Sequence, residues 1–285
     1  CSLYACGFLS VFIALTKIIM GYAHRNKWLI LAYPIFLFIL RFLSIYYGWI
    51  KLFSQFELYD PILYANNSLI PSLGSLVLTL IIVSIAVWWV LHFLHVLKEN
   101  TEKGAFVLVV AYLSLLVFSG FISYIFESLI INSSISLKID EVFSLSLYSV
   151  IALTVISALF LAYYLLVRQI SIKLVRSSIP LNRLAILWFL SGVVFVFIEI
   201  IYVQKNIFNA LWPVLLNALF FYLATKNTRI NALKYHIAIV IVIGFYGAVI
   251  LFENNESNEH QKRELFANQL ITDQDPNMEL EYAAT

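Results

Sequence analysis

Two ionisable side chains stand where an apolar segment should not hold them. Arg41 lies within FLFILRFLSIYYG and Glu199 within GVVFVFIEIIYV. A charge at the centre of a bilayer costs at least ~2.5–3.5 kcal/mol, so such residues mark a binding path, a relay or a structural pair. Arg41 is about two-thirds of the way outward along its segment and Glu199 about three-quarters along its own. Matching depth and opposite sign predict a ligand-binding or structural intramembrane pair; the alternative is that each reaches the outer interface separately. His92 and His95 are three apart on one helical face, a spacing that can serve a metal, with Glu99 one turn on. Without a third ligand close by, they are weak metal candidates, and no metal is expected. Lys17 is near enough to a segment end to snorkel to water.

The sequence around these residues belongs to a membrane. Hydrophobic residues make up 62% of the 285, charged residues 12%, and mean hydropathy is +0.91, whereas a soluble domain carries about 25% charge. Apolar runs recur at helix-spanning length, ~20 residues for a ~30 Å core, and the alternating ~10-residue segments of a barrel are missing. The expected fold is an all-α integral membrane protein: a bundle of about eight transmembrane helices at 2–22, 28–48, 72–97, 104–126, 146–167, 184–203, 209–225 and 236–252. Cys1 and Cys6 do not make a disulfide framework. The chain begins with Cys at the edge of an apolar run, which reads as part of a longer open frame; a lipid-bearing Cys1 is the other reading.

Charge orients the bundle. One set of connecting segments carries Arg25, Lys27, Lys98, Lys103, Arg168, Lys173, Arg176, Arg183, Lys226, Arg229 and Lys234, and the opposite set only Lys51, Lys138 and Lys205. Short basic loops stay cytoplasmic, so both termini are expected outside, in a bacterial inner membrane. The basic residues are thus sorted by membrane side, and the net charge of +2 gives no reason to expect nucleic acid as a partner.

Two outward loops, 49–71 with Glu57 and Asp60 and 127–145 with Asp140 and Glu141, mix apolar and polar residues and should lie at the interface. Asp60-Pro61 predicts a turn. The basic segment 168–183 reads as an amphipathic anchor on anionic lipid. Domain organisation follows: 1–252 the bundle, then 253–285 the start of an extracytoplasmic helical segment. A polar hinge, ENNESNEH, is expected between them. The tail helix carries an apolar stripe of Leu265, Phe266, Leu270 and Ile271, a surface that asks for a partner, and stops before Pro276.

No phosphate-binding loop, HExxH, GxSxG or kinase signature occurs, so no catalytic residue and no cofactor is assigned to these residues. Three functional classes stay open: a sensor and transducer, a transporter or channel, and an integral membrane lipid or acyl transferase. The chain resembles the multi-span N-terminal membrane region of large Bacteroidota sensor histidine kinases. The similar stretches are Phe56-Glu57-Leu58-Tyr59-Asp60-Pro61, Tyr64-Ala65, Pro71-Ser72-Leu73-Gly74, Asn132-Ser133-Ser134-Ile135-Ser136 and Phe143-Ser144-Leu145. The tail adds Lys262, Arg263, Leu265, Ala267, Leu270, Asp275-Pro276 and Glu279. The resemblance implies an input module of a two-component system, working as a homodimer in the lipid bilayer. ATP, Mg²⁺ and a response regulator are implied only for a kinase core outside these residues.

Overall fold

The computed structural model describes residues 28–48, 55–66, 70–96, 102–133, 135, 146–177, 179–201, 207–226 and 233–272. The expected first span, 2–22, lies outside the described residues, as do Asp140 and Glu141 and the side chains of Leu265, Phe266, Leu270 and Ile271.

Seven α-helices make up the described chain: α1 Trp28–Tyr46, α2 Leu73–Val96, α3 Glu102–Ile131, α4 Leu147–Arg176, α5 Leu181–Ile201, α6 Ile207–Lys226 and α7 Leu233–Thr272. No strand is named among the described residues. Four of the helices, α2 to α5, are long and apolar enough to cross a membrane; α1, α6 and α7 carry shorter apolar stretches, Tyr33–Tyr46, Asn209–Thr225 and Ile239–Asn254. The helices begin where serine can cap them. Ser72 Oγ accepts from Ser75 N at 3.2 Å ahead of α2, and Ser146 with Ser149 forms a reciprocal capping box on α4. Gly48, at φ 66°, ends α1 in the left-handed region that a Cβ disfavours.

Helices α3 and α4 form the centre. Helix α2 packs on α4, α1 on α2, α7 on α3, and α6 on both central helices and α5. One continuous core results, with a satellite of Tyr33, Leu37, Trp89 and Phe93 between α1 and α2. The outer faces of α1, α5 and α7 expose Phe36, Phe42, Phe189, Phe197, Ile241 and Phe245. Water would not tolerate patches of that size, whereas lipid would.

Three boundaries differ from expectation. Helix α3 runs to Ile131, so Glu127 is helical rather than the start of an interfacial loop. The basic stretch after Val167 is not a separate amphipathic segment through Arg176: α4 continues to Arg176, with Ile170 and Leu174 buried in the core. Tyr163, Val167, Ile170 and Leu174 recur at three- and four-residue steps, so one buried stripe carries the helix past its charges. Most consequentially, ENNESNEH is not a hinge. Helix α7 is continuous for 40 residues. The stretch holds neither Gly nor Pro, and Asn254 Nδ2 returns to Ile250 O at 2.9 Å, reinforcing the helix it was expected to break.

Candidate functional site

The end of the bundle at which α1, α3 and α5 finish and α2, α4 and α6 begin gathers nearly all the polar chemistry. Segment 55–66 closes it as a cap. Asp60 turns the chain by accepting from Ile62 N at 2.9 Å, the turn expected at Asp60-Pro61. Glu57 Oε2 accepts from Tyr148 OH on α4 at 2.5 Å. Tyr64 reaches Ser128 on α3, hydroxyl to hydroxyl, at 3.0 Å, and pairs with Ser133 in an isolated antiparallel bridge. Tyr124 OH donates to Asn66 Oδ1 at 3.0 Å. Burial pushes the Tyr64 phenol above its ordinary value, an effect that its bonds to Ser128 and Asn66 oppose.

Beneath the cap sits Arg41, 6% exposed. Its Nε donates to Thr79 Oγ1 and its Nη1 to Ser44 Oγ, each at 3.3 Å. Its Nη2 donates to Ser75 O at 3.0 Å and to Ser75 Oγ. Tyr59 lies over the same turn of α2: a Cβ on Gly74 would come within 2.7 Å of its ring, so only glycine lets the cap seat. Burial raises the Tyr59 phenol and the Arg41 charge pulls it back.

Glu199, 8% exposed, belongs to a second cluster. Its Oε1 stands 2.8 Å from where a Gly120 Cβ would be, so α3 presents bare backbone to the carboxylate. The hydrogen bonds of Arg41 thus run to Ser44, Ser75 and Thr79 rather than to Glu199, and the two charges have separate surroundings. One turn from Gly120, Ser123 Oγ meets Tyr246 OH of α7 at 3.0 Å and accepts from Trp212 Nε1 of α6 at 3.2 Å. It also reaches Ser119 O at 3.1 Å. One hydroxyl proton and two lone pairs suffice if Ser123 donates to Ser119 O and accepts from the two aromatics. The rings of Trp212 and Tyr246 stack at 4.0 Å between centroids, and Phe160 of α4 meets both edge-on. At the rim, Asn209 Nδ2 donates to Glu253 Oε2 at 3.4 Å. Helices α3, α4 and α6 are therefore tied to α7.

Deeper in the bundle, Tyr163 OH donates to Asn217 Oδ1 at 3.2 Å. Asn217 Nδ2 is fully buried, with no hydrogen-bond partner among the described residues.

His92 and His95 are exposed on α2, and His92 stacks on Trp88. No group of three His, Cys, Asp or Glu side chains converges among the described residues. The serine, tryptophan and tyrosine cluster contains no charged side chain to mark it in the sequence. Its sequence signal is Ser119-Gly120 with Ser123 a turn later, a small-residue stripe of the kind that lets helices approach closely. Asn209 and Asn217, eight apart and hence on one face of α6, are the second signal.

No family model matches the chain, and no curated protein or solved structure matches it at significance.

Proposed function

We propose that this chain is a membrane sensor and signal-transducer module in which α7 is the output element. The observation that carries the reading is the continuity of α7. A 40-residue helix is ~60 Å long at 1.5 Å per residue, about twice the ~30 Å hydrocarbon core. Its first half is set into the bundle through Ile239, Tyr246 and Ile250, all buried. Its second half carries Glu253, Glu256, Glu259, Lys262, Arg263 and Glu264, composition suited to water. On the orientation drawn from the basic loops, that half stands on the extracytoplasmic side. A displacement of Tyr246 against Ser123 and Trp212 then moves the far end as a lever, because an unbroken helix bends little.

The histidine-kinase resemblance fits this reading: it supplies a reason for a module without catalytic residues of its own, and for a dimer joined through Leu265, Phe266, Leu270 and Ile271. The kinase attachment is tested by reading the gene past codon 285, where an open frame into a kinase core supports it and an early stop opposes it.

The transducer reading itself is tested with spin labels on Glu264 and Arg176 of the full chain in lipid. Ser123→Leu, which disrupts the core level, should shift the distance between them. The same substitution with Gly-Gly inserted after Asn254 should leave the outer label where it was. An equal shift with and without the insertion contradicts transmission along the helix.

A further inference from the structure

We propose that Asn217 anchors an internal binding site for a single water molecule at the junction of α3, α4 and α6. Asn217 is 0% exposed, and its amide is only half engaged. Its Oδ1 accepts the Tyr163 proton at 3.2 Å. Its Nδ2, an amine with two protons to give, meets no acceptor among the described residues. Asn254 on α7 settles the same need by turning its amide onto Ile250 O of its own helix. Asn217 instead holds its amide across the helix interface against α4. A donor kept there without an acceptor is costly, in a membrane bundle as in a soluble core.

Oxygens that could complete the amide stand close by, on two other helices. Tyr163 gives its one proton to Asn217. Ser119 of α3, beside the same tyrosine hydroxyl, gives its own to Leu116 O at 2.6 Å. Both oxygens keep lone pairs for a further donor. A donor on α6 and acceptors on α3 and α4 that it does not reach directly are the partner set of a bridging water. Such a water accepts from Asn217 and donates to Tyr163 and Ser119, and about three hydrogen bonds are usual for a buried water. The rings around Tyr163 bring no competing acceptor: Phe118 lies 6.3 Å and Trp212 5.7 Å from it, centroid to centroid, and the Trp212 N–H is given to Ser123. An amide turned end for end would present its carbonyl instead, and water donates as readily as it accepts. The three helices pack on one another, which suits an occupant as small as water. This inference is independent of the role given to α7.

The test is X-ray hydroxyl-radical footprinting of the full chain in lipid nanodiscs, after exchange into heavy-oxygen water. A water ionised in place oxidises the side chain that it touches. Tyr163, 0% exposed, should therefore gain a product bearing the heavy oxygen. Phe126, 2% exposed and edge-on to Phe160, should stay unmodified. Asn217→Leu removes the anchor and should lower the Tyr163 product to the level of Phe126. If Asn217→Leu does not fold, Ser119→Ala takes away one acceptor, leaves the amide in place and should reduce the Tyr163 product. Wild type in which Tyr163 is no more oxidised than Phe126 overturns the proposal. So does Tyr163 oxidation that is unchanged in the variant that folds. Equal oxidation of Tyr163, Phe126 and Phe220 would show general entry of solvent rather than a bound molecule, and overturns it as well.

Discussion

Arg41 and Glu199 are buried to nearly the same degree, 6% and 8% exposed, with opposite sign, and the protein treats them differently. Arg41 sits at the edge of the bundle, between a peripheral helix and α2, in a cradle of serine and threonine. Glu199 sits against the backbone of a central helix, where Gly120 makes room for it, near the level at which Ser123, Trp212 and Tyr246 join three helices. The difference is that, among the described residues, the Arg41 charge is met by hydroxyls and a carbonyl and not by a carboxylate. Short hydroxyl side chains that also bond their own helix, as Thr79 does to Ser75 O at 2.9 Å, accommodate it.

The comparison breaks most visibly at the central cluster. Trp212→Ala removes a stacked ring and the donor to Ser123, and should cost ~3–5 kcal/mol, the range for large buried aromatics, in a reversible unfolding assay in detergent. A cost under about 1 kcal/mol would mean that α6 and α7 are not joined there. Next in size is Gly120→Val, whose side chain must displace the Glu199 carboxylate, for ~1–3 kcal/mol. Adding Glu199→Ala should recover much of that loss, a coupling of ~0.5–3 kcal/mol for residues in contact. The smallest effect sharpens the contrast: Arg41→Met and Glu199→Gln together should cost the sum of their separate effects to within ~0.5 kcal/mol, as for sites that share no partner. A strongly non-additive result would restore the ion pair that depth and sign suggested.

How far the molecule could be read from its residues follows the same division. Helices α1 to α6 stand close to the apolar runs that announce them, because a ~30 Å core demands a fixed length of apolar residues. The ends were less legible where a buried stripe outlasts the apolar run. Ile170 and Leu174 hold α4 together beyond Arg168, and polarity alone gives no sign of it. The stretch 253–260 differs from expectation for a related reason: Glu, Asn and Ser in a row suggest a linker, but Asn254 turns its amide back on the helix and Glu253 meets Asn209. Charge drew attention to Arg41 and Glu199, and both proved buried. It gave no hint of Ser123, Trp212 and Tyr246, whose role depends on which helices pack together, and no local pattern encodes that.

The central claim, that α7 is one rigid element running from the bundle core to well beyond it, is tested most directly by a distance along that helix. Spin labels on Val240 and Glu264, both exposed, are 24 residues apart and should lie ~36 Å apart along a continuous helix. Pulsed dipolar spectroscopy on the full chain in lipid should return one narrow distribution near that value. A broad distribution, or one centred well below about 30 Å, would show that the helix breaks at its polar stretch, and would contradict the account.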